Sequence, residues 1–209
     1  MAWSALPALA LVAMVVMVTP GANAGKIKRD DIIYRILNVH NKERCNVEPP
    51  ARDMTTMKWD PDLAWTANKV AKKCVFEHSE FEYRAKKYKK RTGEDALIGE
   101  SLALGNLGGI NRKKYAKIFS KAWADEKEDW DFHALTMDDF APDSPQVGHY
   151  TQMIDADSEY VGCAFKSCDN NQRLFVCHYR TAGNVLGQTP YEPCEDDEDC
   201  ANPACDFGN

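Results

Sequence analysis

Beyond residue 24 the sequence has no long hydrophobic run, so nothing there reaches the roughly 20 apolar residues a membrane-crossing helix needs. It has no Asn-x-Ser/Thr sequon, which removes N-glycosylation from the expectations. It has no excess of positive charge: 26 Lys and Arg stand against 32 Asp and Glu, for a net charge of −6. That balance excludes a general nucleic-acid binder. No segment repeats, and no serine sits in a nucleophile elbow or a triad context. The Cys163-x4-Cys168 pair has no second matching pair, which argues against a zinc ribbon.

What is present begins with an apolar stretch, Ala5 to Val18, followed by the small-x-small site Ala22-Asn23-Ala24. Residues 1–24 read as a secretory signal peptide, too short in its apolar run to anchor the chain in a bilayer. A secreted, extracellular protein is expected. The remainder is long enough for one domain with a substantial core, expected over 25–187, and a cysteine-bearing acidic extension over 188–209. All eight cysteines fall after the leader, and an even number in a secreted chain points to four disulfides.

Periodicity places the elements. Asp30 or Asp31 caps a first helix with Ile33, Ile36, Leu37 and His40 on one face, ended by Pro49-Pro50. His40 on that stripe reads as a hydrogen-bonded core histidine. Asp60-Pro61 starts a second helix whose stripe is Leu63, Ala67, Val70/Ala71 and Cys74. One further step along it lands on His78, which would then point where the buried face points. Six of the nine residues from Tyr83 to Arg91 are basic, expected to form a solvated face. Glu100 lies inside an apolar run. Asn111 caps a further helix with Tyr115, Phe119, Ala122/Trp123, Glu126 and Trp130 in line at helical spacing, so Glu126 sits on its apolar stripe. A carboxylate there needs a partner. Val147 to Ile154 reads as a half-buried strand with His149, Thr151 and Met153 on one face. Tyr160–Lys166 and Arg173–Tyr179 read as adjacent antiparallel strands.

These residues, in this order, resemble the CAP superfamily of cysteine-rich secretory, antigen 5 and pathogenesis-related proteins. The resemblance rests on His40-Asn41…Arg44, Trp59-Asp60-Pro61, Cys74…His78-Ser79, Gly99-Glu100, Trp123…Glu126, Gly148–Gln152 and Phe175–Tyr179…Gly183-Asn184. It covers about residues 30 to 185 and looks closest to the venom-allergen-like branch. It implies an α+β fold, a three-layer α/β/α sandwich around a mainly antiparallel sheet. It also implies a cleft tetrad of His78, Glu100, Glu126 and His149, able to hold zinc or magnesium that folding does not require. Two of the implied disulfides are Cys74–Cys168 and Cys163–Cys177. Cys45, Cys194, Cys200 and Cys205 remain, and one bond from Cys45 to the tail and one within the tail are expected. The chain departs from the family pattern at Ser101, Asp155 and Thr181.

Three functions follow as expectations. The first is extracellular binding of a sterol, fatty acid or other small lipid through the loop 131–146, with Phe132, Leu135, Met137 and Phe140 as contacts. The second is an interaction module for an extracellular protein or receptor. The third is a hydrolase using metal-bound water at the tetrad, the least expected because no accepted nucleophile motif is present.

Overall fold

The computed structural model of the protein describes residues 32–106, 109–194, 200 and 203–207. The expected signal peptide, the Asp30/Asp31 cap and the acidic run 195–199 lie outside those residues.

The elements in order are α1 (Ile32–Cys45), β1 (Lys58–Trp59), α2 (Pro61–Ala71), α3 (Phe81–Thr92), β2 (Gly99–Gly105), α4 (Arg112–Asp125), α5 (Gly148–Met153), β3 (Tyr160–Ser167) and β4 (Arg173–Arg180). The four strands form one sheet in the order β1-β3-β4-β2. β4 is antiparallel to both β2 and β3, whereas β1 runs parallel to β3, so this α+β fold has a mixed sheet.

Local chemistry accounts for the helix starts. The Asp60 carboxylate accepts from the amides of Asp62 and Leu63 and caps α2, with Pro61 in its first turn. Asn111 caps α4 by accepting from Lys114 N–H. α2 then lies directly on β3: a Cβ at Gly162 would collide with the backbone of Asp60 and Ala64, so only glycine permits the approach.

Alternation along β4 sorts the core. Phe175, Cys177 and Tyr179 join a cluster with Ile36 and Leu37 of α1 and with Tyr115, Phe119 and Trp123 of α4. Leu174 and Val176, on the opposite face, pack with Ala67, Val70 and Ala71 of α2. Four disulfides cross-link this frame: Cys74–Cys168, Cys163–Cys177, Cys45–Cys205 and Cys194–Cys200.

Two expectations need correction. The segment around His149 is a short helix, α5, and not a strand, so His149, Thr151 and Met153 do not share a strand face. Its amides are taken up locally, by a carboxylate at one end and Val147 O within the turn, and no strand among the described residues pairs with it. Second, α2 ends at Ala71 and Cys74 turns the chain with a left-handed φ of 54°. His78 therefore leaves the helical stripe, and an exposed loop delivers it.

His40 sits in the core as a hydrogen-bonded histidine: its Nδ1–H donates to Ile36 O (2.8 Å) and its Nε2 accepts from the Tyr179 hydroxyl (3.0 Å). Burial lowers its pKa from 6.5 to about 4, opposed by the bond to Ile36. A base depressed in the folded state contributes stability that is present above the unfolded value and lost as pH falls through it. The wild type is therefore expected to lose on the order of 3 kcal/mol between pH 6.5 and 4 through this group. Urea denaturation at both pH values should show a smaller difference for His40→Gln, whose amide does not titrate.

Candidate functional site

Glu100 enters the site from β2, paired across the ladder with His178 of β4. Its carboxylate is 0% exposed and accepts four hydrogen bonds. Oε1 accepts from Ser79 N–H (2.7 Å) and His78 Nδ1 (3.1 Å), and Oε2 from the Ser79 hydroxyl (2.8 Å) and His178 Nε2 (3.0 Å). Arg84 of α3 stands 3.6 Å from Oε1 and holds Ile98 O through Nε. Burial by itself pushes the Glu100 carboxyl up, but the bonds from His178, His78 and Ser79 outweigh it and hold the group well below the usual carboxylate range. A charged carboxylate accepts only, so His178 carries a proton on Nε2, while its Nδ1 lies 2.8 Å from the Thr66 hydroxyl, which itself donates to Leu63 O. Burial depresses the pKa of His178, opposed by the hydrogen bond and charge of Glu100.

The second pair is built on α5. Glu126 caps the C-terminus of α4 and opens a 3-10 turn, Glu126–Asp129. Its Oε1 accepts from His149 Nδ1 at 2.6 Å. Its Oε2 accepts from the amides of His149 (2.9 Å) and Tyr150 (3.0 Å), an anion at the start of a helix. The far end of α5 is held by Arg44, fully buried, whose guanidinium donates to Met153 O (3.2 Å) and Asp155 O (2.6 Å). The His149 ring stacks on Trp123 at 5.3 Å between centroids, and Trp123 stacks on Phe175.

His78, Glu100 and His149 line one cavity of about 340 Å³, together with Ser101, Asp139, Phe140 and Asn184. Glu126 stands behind His149. The four residues are therefore two His–Glu pairs, each carboxylate engaged with an imidazole and with donors of its neighbours. In both pairs Nδ1 faces the carboxylate, and neither Nε2 has a hydrogen-bond partner among the described residues. That is the carboxylate–histidine arrangement which leaves Nε2 as a metal donor. The carboxylates are spent on it, and among the described residues no group of three or more His, Cys, Asp or Glu is disposed around one ion. Of the expected ligands, the two imidazoles suit a metal and the two glutamates act behind them.

The match to known proteins is direct. The model of the cysteine-rich secretory protein family, CAP, matches residues 37–179. The chain belongs to this family. GLIPR1-like protein 1 of Bos taurus is 38% identical over 191 residues, covering 87% of this chain and 74% of that protein. Peptidase inhibitor 16 of Mus musculus is 32% identical, covering 85% of this chain and 34% of that protein. Among solved structures, NaASP2 with Zn2+ superposes with a TM-score of 0.65 at 28% identity, covering 87% of this chain and all (100%) of that one. Na-ASP-1 gives a TM-score of 0.68 at 26% identity, covering 86% of this chain and 45% of that one.

The structure of this CAP chain does not bring the four expected lipid contacts together. Leu135 is 1% exposed and tied to the segment 187–188 by its own amide and carbonyl. Phe132 packs on Tyr191. Met137 is 69% exposed, and only Phe140 lines the cavity. Sequence reasoning missed His178, Ser79 and Arg84 as partners of Glu100. Their signal is the strand register, which places His178 opposite Glu100 and is set only when β2 and β4 pair. Asp155, one of the departures from the family pattern, is buried and accepts from Ser158 N–H; burial and nearby Asp157 push it up to about 6.

Replacing a buried, four-coordinated carboxylate by an amide points an NH2 at existing donors. Glu100→Gln is expected to cost about 2–4 kcal/mol in urea denaturation at neutral pH, and more than Glu126→Gln, whose carboxylate is partly solvated.

Proposed function

We propose that this CAP protein is an extracellular binding protein whose cleft takes a divalent cation at His78 and His149, and through it a small polar or anionic ligand. The observation that carries the reading is that both imidazoles are oriented by carboxylates through Nδ1, line the same cavity and have no hydrogen-bond partner at Nε2 among the described residues. Two imidazoles suit zinc and leave open positions for water or ligand. A relative of the same fold was solved with Zn2+, which supports the choice of ion. Bound zinc would supply Lewis acidity and a positive charge; the chain's own residues orient the imidazoles and shape the pocket. The secretory leader over 1–24, the domain over 25–187 and the cysteine-linked extension over 188–209 fit this extracellular role. The helical clusters on the two sides of β4 are read as the outer layers of the family's α/β/α sandwich.

A hydrolytic role is not favoured. Both glutamates accept from several donors, so neither is free to take a proton from a metal-bound water. A small hydrophobic ligand is a second reading, favoured by exposed Met137 and by Phe140 at the cavity wall.

Isothermal titration of the full chain with zinc at neutral pH tests the proposal. One site per chain is expected, abolished in His78→Ala and His149→Ala and weakened roughly 10–100-fold in Glu126→Gln, which removes an orienting carboxylate. Unchanged zinc affinity in both histidine variants would refute it.

A further inference from the structure

Away from the cleft, α2 and α3 pack side by side in opposite directions. Asp62 and Trp65, early in α2, meet Arg91 late in α3, and Lys73 just past α2 meets Tyr83 early in α3. Two aromatic rings mark the seam. Trp65 carries Lys69 at 4.6 Å and Arg91 at 5.4 Å from its ring centre. Tyr83 carries Lys73 at 4.2 Å and Lys87 at 5.1 Å. Lys86 and Lys90 are exposed on the adjoining outer face of α3. From Trp65 to Lys73 the row is about 12 Å long on the helical rise.

Most of the charges in this row are not neutralised by an ion pair among the described residues. Arg91 is paired with Asp62 at 2.7 Å, and neighbouring Lys89 with Asp95. Lys69, Lys73, Lys86, Lys87 and Lys90 have no carboxylate partner among the described residues. Of the acidic residues near in sequence, Glu80 and Glu82 stand at the N-terminal turn of α3, where they complement the helix dipole, and Glu94 pairs with Arg180. Five unpaired ammonium groups therefore gather on one seam of a chain whose net charge is −6.

We propose that this seam binds a linear sulfated polysaccharide. A chain of sulfates matches a row of cations along two helices. The aromatic faces hold Lys69, Lys73 and Lys87 in place before binding, which reduces the ordering cost of the contact. A lipid surface fits less well, because the exposed apolar residues Val75 and Phe76 lie beyond the end of the row and not within it. The proposal rests on the extracellular reading and is independent of the zinc site.

The test is binding of the full chain to heparin at about 0.15 M salt, where exposed charges more than a Debye length apart are largely screened. Binding is expected, and fully desulfated heparin should not compete. The variant Lys73→Gln/Lys86→Gln/Lys87→Gln/Lys90→Gln should lose about tenfold or more in affinity. A control, Lys113→Gln/Lys114→Gln/Lys117→Gln on α4, should keep it. Amine-acetylation footprinting of the unmodified chain gives a readout that does not depend on any variant folding: heparin should protect Lys73, Lys86, Lys87 and Lys90 and leave Lys113 and Lys117 reactive. Absence of heparin binding, equal loss in both variants, or retention by phosphatidylserine vesicles without heparin binding would overturn the proposal.

Discussion

A carboxylate fully removed from water is unfavourable unless donors replace the solvent it has lost, and Glu100 is the point where this protein meets that demand. Four donors from three residues on two segments converge on it: Ser79 and His78 from the loop after α2, and His178 from the neighbouring strand. Arg84 from α3 adds its charge. The loop 72–80 has almost no buried apolar side chain of its own, so its position depends on this carboxylate and on the Cys74–Cys168 bond. Through His78, the same buried charge sets one wall of the cleft.

The opposite wall follows the same logic with different parts. α5 is too short to be stable by helix propensity, and nothing in its own six residues stops it fraying. It is held instead by opposite charges at its two ends: Glu126 at its amides and Arg44 at its last carbonyl. Arg44 comes from α1 and Glu126 from the end of α4, so packing of those two helices decides where His149 stands. Trp123, one turn before Glu126, adds a flat surface that fixes the plane of the imidazole. Each histidine thus owes its orientation to a carboxylate, and each carboxylate owes its position to an element distant in sequence.

The surfaces on either side of the cleft differ in how they are satisfied. The loop 131–146 is closed by internal bonds, with Asp139 accepting from Thr136 and paired with His133, and Leu135 sunk in the interior. Phe132 and Leu135 anchor it, while Met137 and Phe140 stay exposed. The α2–α3 seam is the reverse: its aromatic rings hold cations, and apart from Arg91, paired with Asp62, the lysines of the row have no carboxylate partner among the described residues.

Much of this molecule was determined by the sequence itself. The caps at Asp60 and Asn111, the core role of His40, the antiparallel strands carrying Cys163 and Cys177 and the CAP family pattern depend on spacing and side-chain chemistry over short distances. The burial of Glu100 is not legible in the sequence, because an apolar run does not say which face a strand will cover. Only the tertiary structure decided that the segment around His149 is helical, since the charges that cap it come from residues 44 and 126. It also decided that His78 reaches the site from a loop, that His178 completes the Glu100 network and that Phe132 and Leu135 turn inward. Strand register, loop path and charge pairing between distant segments are set by what packs together, and local periodicity carries no record of that.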